Sequence, residues 1–350
     1  MKNMHLIAVF GLAVLTLPGC APKELPVLRL YTWPDYLNTR LVEIFEQAHN
    51  CRVEIDTFAS NEAMYANVKA GRDGYDIIFS SSYQVSLMAK SGMLRPFDMD
   101  MLPNVTQNFD SSFRNVILDP KMTYSVPYAL AFAGLAYRKD KVGGAVIDSW
   151  ASLDNPAFAG RGSLLDDPRM TIGAALKSLG YSLNTTNREE IQKAKAVVLG
   201  WKKNGLKFDN EQRYGKNIAS GELSIAHGFN CIVLQMMFND EENIAFVYPK
   251  EGFAAICDEM VIPVTAKEVG LAHAFINFLY MPDNARRNIE YTCAPMPNRP
   301  GLTTFSERYR GFSAVLLPFP EVMARAEVVK DLGDAKALYS EVWDEIKAVE

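Results

Sequence analysis

The chain has 350 residues with 36 Lys or Arg and 41 Asp or Glu, so its formal net charge is −5 at pH 7. This mild acidity, with no basic stripe, argues against nucleic acid as a partner. A mature chain of about 330 residues suits two lobes better than a single core.

The N-terminus predicts a signal peptide over residues 1–19. Lys2 gives a basic start, and the apolar run 6–17 is shorter than the ~20 residues that a bilayer-spanning helix needs. The run ends in Leu17-Pro18-Gly19-Cys20, which resembles a bacterial lipobox and implies a lipid on Cys20 and a tether over residues 20–26. We therefore expect a membrane-anchored periplasmic or extracytoplasmic lipoprotein. An ordinary cleaved signal with a chance cysteine is the alternative.

Short apolar strands alternate with helical patterns in the mature chain, which indicates an α/β fold. The elements predicted in its first third are a strand at 27–31, a helix capped by Asn38 or Thr39, a strand at 52–58, a helix from Ser60 to Val68 and a strand at 75–79. The last of these is mostly apolar, as in strands buried on both faces of a parallel sheet.

A long apolar segment at 128–138 precedes a second α/β set. Its predicted elements are a helix at 188–203, strands near 223–226, 245–248 and 260–262, a helix at 269–279, a helical stretch after Pro282 and an amphipathic helix at 336–348. This pattern, without a long flexible linker, fits two lobes joined by crossing strands.

The sequence offers no template for an enzyme. It contains no GxxxxGK[ST] loop, no GxSxG elbow and no HExxH helix. The histidines after the signal are His49, His227 and His273, and a lone histidine without a placed partner is a weak basis for acid–base catalysis. We predict neither an enzymatic activity nor a cofactor.

Aromatic residues and carboxylates cluster where predicted strands end. Trp33-Pro34-Asp35-Tyr36 follows the first strand, 80–83 follows the strand at 75–79, Asp166-Asp167 follows 163–165, and Asp258 follows 254–256. Ligands of open α/β sheets lie beyond such strand ends, and rings with carboxylates suit an ammonium ligand. The structural alternative is that these aromatics belong to the core and the aspartates cap turns.

Several stretches match a known family in order and spacing. They are 31–36, 60–65, 75–83, 178–182 with 184–186, 248–252 with Asp258, and 276–279 followed by Pro282-Asp283. Through them the chain resembles the spermidine/putrescine-binding proteins of polyamine ABC transporters. The resemblance implies a type II periplasmic-binding-protein fold, with a hinge and a ligand cleft between lobe 1 (27–131 plus 257–299) and lobe 2 (132–256 plus 300–350). It also implies a monomer that delivers putrescine or spermidine to a permease.

The same resemblance assigns the ligand-binding residues position by position. They are Trp33, Asp35, Tyr36, Ser81, Tyr83, Asp167, Phe229, which stands where the family usually has Trp, and Asp258. The chain departs from the family at Met170, where Glu is common, at Ile256, where an aromatic is common, and at Ala294, where Tyr is expected. These departures leave open which polyamine is preferred and whether the ligand is a shorter diamine or another cation.

Two other readings stay open. His227, Cys231, Cys257, Cys293 and Asp258 could converge as a soft-metal site, although their spacing matches no standard zinc pattern. The four cysteines could equally form disulfides of undetermined pairing or remain buried thiols. The second alternative function, besides a soft-metal site, is a scaffold that kept the fold and lost transport.

Overall fold

A computed structural model describes residues 25–71 and 74–349 of the chain. The predicted signal peptide, Cys20 and most of the predicted tether lie outside these residues. In the two described ranges, no helix has the length and apolar character needed to cross a membrane.

The strands cover both halves of the described chain. They are β1 Val27–Thr32, β2 Arg52–Thr57, β3 Ile77–Ser81, β4 Val126–Arg138, β5 Gly162–Leu165, β6 Lys207–Asp209, β7 Ile225–Phe229, β8 Ile244–Val247, β9 Phe253–Val261 and β10 Ala326–Val328. They form one mixed sheet in the order β2-β1-β3-β9-β4-β7-β5-β6, with β10 beside β9 and β8 beside β4.

Fifteen α-helices lie in the described chain. They are α1 Thr39–His49, α2 Asn61–Lys69, α3 Ser82–Lys90, α4 Pro103–Asn108, α5 Pro168–Ser178, α6 Arg188–Lys203, α7 Glu211–Ser220, α8 Asn230–Met237, α9 Val269–Leu279, α10 Pro282–Thr292, α11 Arg299–Thr303, α12 Glu307–Arg310, α13 Ser313–Leu316, α14 Pro320–Met323 and α15 Lys336–Ala348. The predicted α/β class is therefore confirmed.

Strands β4 and β9 join the two groups of parallel strands. The first part of β4, Val126–Phe132, pairs antiparallel with β9, and its second part pairs antiparallel with β7 and β8. On its other edge, β9 pairs antiparallel with β3. The parallel strands β1, β2 and β3 thus lie on one side of the β4–β9 pair, and β5, β6 and β7 lie on the other.

Local sequence signals set the ends of several helices as predicted. The Asn38 side chain accepts a hydrogen bond from Arg40 N at the start of α1, and the Ser60 side chain accepts one from Ala63 N at the start of α2. Helix α6 buries one face composed of Ile191, Ala194, Val198 and Trp201. The hydrophobic effect stabilises such a face by roughly 1.5–3 kcal/mol for each large side chain that it buries.

The extents of three predicted strands were wrong. Strand β3 begins at Ile77 and continues to Ser81, because Ser81 pairs with Asp258 of β9. Strand β9 runs from Phe253 to Val261, so Asp258 lies within a strand instead of following one. The strand predicted at 223–226 is Ile225–Phe229. Pairing with distant strands extends each of them through residues that are locally weak strand formers.

None of the four cysteines of the described chain forms a disulfide. Cys51, Cys257 and Cys293 are buried, and Cys231 is partly buried. The thiols therefore act as small packing groups, which was one of the two readings that the sequence left open.

Candidate functional site

The carboxylate of Asp258 connects residues from three distant parts of the chain. Its Oδ1 accepts a hydrogen bond from Ser81 Oγ at 2.5 Å, and its Oδ2 accepts one from the Tyr36 hydroxyl at 2.7 Å. Ser81 ends β3, whereas Tyr36 lies in the loop between β1 and α1. The structure thus brings together three of the residues that the sequence predicted for the ligand site.

Burial makes the charge of this carboxylate costly. Desolvation raises the pKa of Asp258, while the hydrogen bonds from Ser81 and Tyr36 lower it in part. Desolvation and the neighbouring Asp258 charge also raise the pKa of Tyr36 well above its usual value. Tyr36 therefore stays protonated and donates. Among residues 25–71 and 74–349, both groups that donate to this carboxylate are neutral, so a cation would compensate the charge of its ionised form.

Tyr36 is held in place by residues that the sequence analysis missed. The Tyr128 hydroxyl donates to the Tyr36 carbonyl oxygen at 2.5 Å, and the two rings meet edge to face with centroids 5.2 Å apart. Asn288 Nδ2 in turn donates to the Tyr128 hydroxyl at 2.8 Å. The apolar setting of Tyr128 in β4 gave no sign of this role, since its partners lie 92 and 160 residues away.

Asn61 is another missed residue, and its side chain contacts two predicted site residues. Its Nδ2 donates to Ser81 Oγ at 3.1 Å and to the Tyr83 hydroxyl at 3.0 Å. The sequence placed Asn61 at the start of a helix, which is where it lies, and within the matching stretch 60–65, but gave it no role in the site.

Tyr83 is partly buried near several charged groups. Its pKa is raised by burial and by the nearby charges of Glu62, Asp167 and Asp258, against a smaller lowering by the Asn61 hydrogen bond. Its ring packs against the hydrophobic cluster that contains Phe229. Tyr83 therefore bridges the β3 side of the molecule and the β7 side.

Asp167 is the N-terminal cap of α5. Its Oδ1 accepts hydrogen bonds from Arg169 N at 2.7 Å and from Met170 N at 2.9 Å. The residue is exposed to solvent, yet enough protein surrounds the carboxylate for desolvation to raise its pKa. Asp167 thus caps a helix, as the structural alternative in the sequence analysis expected. It also lies near enough to Tyr83 to influence its pKa, at the edge of the site.

Trp33 and Asp35 precede Tyr36 in the loop after β1, and in the described chain neither side chain forms a hydrogen bond with Asp258. The Trp33 ring packs edge-on against Phe58 with centroids 4.4 Å apart, and its buried Nε1 has no partner among the described residues. Asp35 is exposed and adopts a left-handed φ of 54°. Within the described chain, its side chain makes no hydrogen bond or ion pair.

Phe229 ends β7 and is buried, with 6% of its surface exposed. Its backbone N donates to the Tyr214 hydroxyl at 2.8 Å. A Cβ at Gly228 would meet the Tyr214 ring at 2.4 Å, so only glycine allows that ring to lie against the strand. Tyr214 thus fixes the position of Phe229, which the sequence pattern did not reveal.

Comparison with known proteins identifies the family. Residues 40–307 match the family model of the bacterial extracellular solute-binding proteins. The chain belongs to this family. This is a family of solute-binding receptors and not an enzyme family. The extracellular location in the family description agrees with the predicted export.

The similarity extends over whole chains. The spermidine/putrescine-binding periplasmic protein of Salmonella typhimurium is 32% identical over 349 residues, covering 99% of this chain and 98% of the relative. The TpPotD lipoprotein of Treponema pallidum is 34% identical, with a TM-score of 0.83 and coverage of 91% and 99%.

The spermidine/putrescine ABC transporter substrate-binding protein PotD of Streptococcus pneumoniae is 28% identical, with a TM-score of 0.83 and coverage of 92% and 98%. These likenesses confirm the predicted two-lobed type II fold.

The three departures from the family pattern are apolar in the structure as well. Met170 is buried in the cluster that contains Phe229, and Ile256 is partly buried against the same cluster. Ala294 is buried in the main core. None of the three offers a charge or a ring to a ligand.

A small ionic network lies next to Tyr83. Lys336 Nζ lies 5.6 Å from the centroid of the Tyr83 ring and 3.3 Å from Asp331 Oδ1. Asp331 Oδ2 lies 3.4 Å from Lys90 Nζ at the end of α3. Since Tyr83 and Lys90 both belong to α3, this network ties α3 to the start of α15.

The structure does not support the soft-metal reading. No group of three or more His, Cys, Asp or Glu side chains among the described residues could hold a metal ion. His227 is fully buried, with its ring edge-on to Trp150 at 4.9 Å. Burial lowers the pKa of His227 to about 3, so the residue is a neutral core group.

Proposed function

We propose that this solute-binding protein captures putrescine or spermidine outside the cytoplasm and delivers it to an ABC importer. The observation that carries the proposal is the Asp258 carboxylate, which is desolvated and, within the part of the chain that the structure describes, receives hydrogen bonds only from the neutral hydroxyls of Ser81 and Tyr36. An ammonium group would compensate this charge, and the names of the relatives point to the same ligand class.

The ligand's amino group would pair with Asp258, and aromatic rings would cover its methylenes. Tyr36 and Tyr83 flank the carboxylate network, and Phe229 lies in the cluster that Tyr83 contacts. Ring faces attract ammonium groups as well as alkyl chains. Trp33 and Asp35 would line the entrance, and the open Oδ2 of Asp167 would contact a second amino group.

Capture would proceed by closure of two lobes about β4 and β9. The proposed lobes are 27–131 plus 257–299 and 132–256 plus 300–350. A ligand that contacts both lobes stabilises the closed form by the difference between its affinities for the two forms. The proposal includes recognition of the closed form by a permease, and a lipid on Cys20 that keeps a monomeric receptor at the membrane.

The test is calorimetric titration of putrescine and spermidine into soluble protein that begins after Cys20. The protein is first unfolded and refolded to remove carried-over ligand. Binding at micromolar or lower Kd with one site per chain supports the proposal and ranks the two ligands. No heat with either polyamine, from protein shown to be folded by circular dichroism, overturns it and directs the search to other amines.

A further inference from the structure

Asn61, the first residue of α2, uses the full hydrogen-bonding capacity of its side chain. Its Oδ1 accepts from Ser80 Oγ at 3.1 Å and from Ser81 N at 3.3 Å, and its Nδ2 donates to Ser81 Oγ and to the Tyr83 hydroxyl. The residue is 6% exposed, so these four bonds replace water. Asn61 therefore contacts Ser81, which in turn contacts Asp258.

The orientation of the Asn61 amide follows from its partners. A backbone N–H can only donate, so the oxygen of the amide must face Ser81 N. The NH2 group then faces Ser81 Oγ, which has to accept from it. A serine hydroxyl carries one proton, and the proton of Ser81 is thereby left for Asp258 Oδ1, 2.5 Å away.

We infer that Asn61 is a positioning residue that sets the direction of the hydrogen bonds at the ligand carboxylate, by obliging Ser81 to donate to Asp258 while it anchors the Tyr83 hydroxyl. This role rests on the proposed capture of a cation by Asp258. With both Ser81 and Tyr36 donating, the ionised form of Asp258 is favoured and the carboxylate is oriented before the ligand arrives. Such preorganisation increases affinity because ordering is complete before binding.

A purely structural role would give Asn61 only the task of tying α2 to β3. Asn67 on the same helix supplies the matched control, because its Nδ2 also donates to a tyrosine hydroxyl, that of Tyr31, at 3.0 Å. Tyr31 makes no contact with Asp258 in the hydrogen-bond network described above. Asn67 is partly buried, so the same substitution there removes an amide donor to a tyrosine hydroxyl from α2 without changing any hydrogen bond of Ser81.

The decisive variant is Asn61→Asp, which keeps the shape and removes both N–H donors. Ser81 and Tyr83 would then donate to the new carboxylate, and the Ser81 proton would be diverted from Asp258. We expect the Kd for putrescine to rise about tenfold, as for one lost hydrogen bond to a charged group. An added negative charge alone would strengthen the binding of a cation, so the sign of the change is diagnostic. Asn67→Asp should change Kd less than about twofold.

A double-mutant cycle tests whether Asn61 acts through Ser81. The cycle compares wild-type protein, the single variants N61D and S81A, and the double variant N61D/S81A. Melting curves verify that each protein is folded. The inference predicts that N61D weakens binding in wild-type protein and does not weaken it further in S81A. Equal weakening in both backgrounds, or tighter binding by N61D in wild-type protein, overturns it.

A ligand-free measurement separates this inference from the proposed function. Carbon NMR of the Asp258 carboxyl group gives its pKa in wild-type, N61D, S81A and the double variant. We expect N61D to raise the pKa of Asp258 more in wild-type protein than in S81A, and equal shifts contradict the inference. If wild-type protein binds no polyamine yet the two substitutions remain coupled, the proposed ligand fails and the role of Asn61 stands.

Discussion

The hydroxyl of Tyr36 donates to Oδ2 of Asp258 at 2.7 Å across 222 residues of sequence. The bond joins the loop after β1 to the middle of β9, one of the two strands that link the two sides of the sheet. Ser81 holds the other oxygen of the same carboxylate. The charge and orientation of Asp258 therefore depend on three segments at once: the loop after β1, the end of β3 and β9. Substitutions at the individual residues test these contributions separately.

Asp258→Ala should abolish most of the affinity for polyamine. Removing one partner of a buried charge pair costs about 2–5 kcal/mol, which corresponds to a Kd roughly 30-fold to several thousandfold higher. Tyr36→Phe keeps the ring and should raise Kd about tenfold. Calorimetry on folded variants measures both, and near-normal binding by Asp258→Ala would remove this residue from the site.

Polyamine affinity should fall in mildly acidic solution. Burial raises the pKa of Asp258, and binding needs the ionised carboxylate, so Kd should increase as pH falls through that raised pKa. In Tyr36→Phe, loss of one hydrogen bond to the ionised form should move the decline to higher pH. Calorimetric titrations at a series of pH values measure both curves. The prediction is contradicted if Kd does not change with pH until the pH falls to the usual pKa of an exposed aspartate.

Glu259 should make the protein less stable as pH rises. Its side chain is 1% exposed, Oε1 accepts from Ser82 Oγ at 2.8 Å, and burial raises its pKa to about 7. Between the unfolded value near 4.5 and about 7, the folded state holds more protons than the unfolded state. The contribution of Glu259 to the free energy of unfolding therefore decreases with rising pH across this window, by on the order of 2–3 kcal/mol.

Glu259→Gln should remove this decrease, because the amide does not titrate. Urea unfolding at pH 5 and pH 8 measures the free energy of unfolding of both proteins. Wild-type protein should lose stability between these values by more than the variant does. Equal losses in the two proteins would show that Glu259 is ionised in the folded state at both pH values.

Asp331→Asn should accelerate release of the ligand. Asp331 lies between Lys90 of α3 and Lys336 of α15, so its charge links the helix that carries Tyr83 to the C-terminal helix. Partly exposed ion pairs contribute about 0.2–1 kcal/mol, so we expect a two- to fivefold faster dissociation that disappears at high salt. Stopped-flow fluorescence measures the rate. Glu341→Gln, which breaks the Arg188–Glu341 pair of α6 and α15, is the control and should leave the rate unchanged.

Thiol titration should find four reactive cysteines in denatured protein that begins after Cys20, with or without reductant. In native protein, Cys231 should react first, because Cys51, Cys257 and Cys293 are buried. Cys231 lies close enough to Tyr36 to influence its pKa, so bound polyamine should slow the reaction. Cys231→Ser should remove the fast phase. Two thiols that appear only after reduction would instead indicate a disulfide.

Local patterns in the sequence were sufficient for the fold class and for part of the site. Alternating strands and helices, the Asn38 and Ser60 caps and the apolar face of α6 all depend on residues within a few positions of one another. The resemblance to the polyamine-binding proteins supplied Asp258, Ser81 and Tyr36, which the structure brings together. All the assigned positions, these three included, stay predictions of ligand contact.

The tertiary structure alone decided how these residues are connected. Asp258 lies inside β9 because β3 and β4 pair with it on either side, and a local pattern cannot show pairing between strands more than 100 residues apart. Asn61 reaches Ser81 and Tyr83, and Tyr128 reaches Tyr36, only after the chain has folded. The sequence by itself determined which chemical groups the protein has and which local elements carry them. Hydrogen-bond direction, desolvation and charge at Asp258 depend on three-dimensional neighbours, and so only the fold determines them.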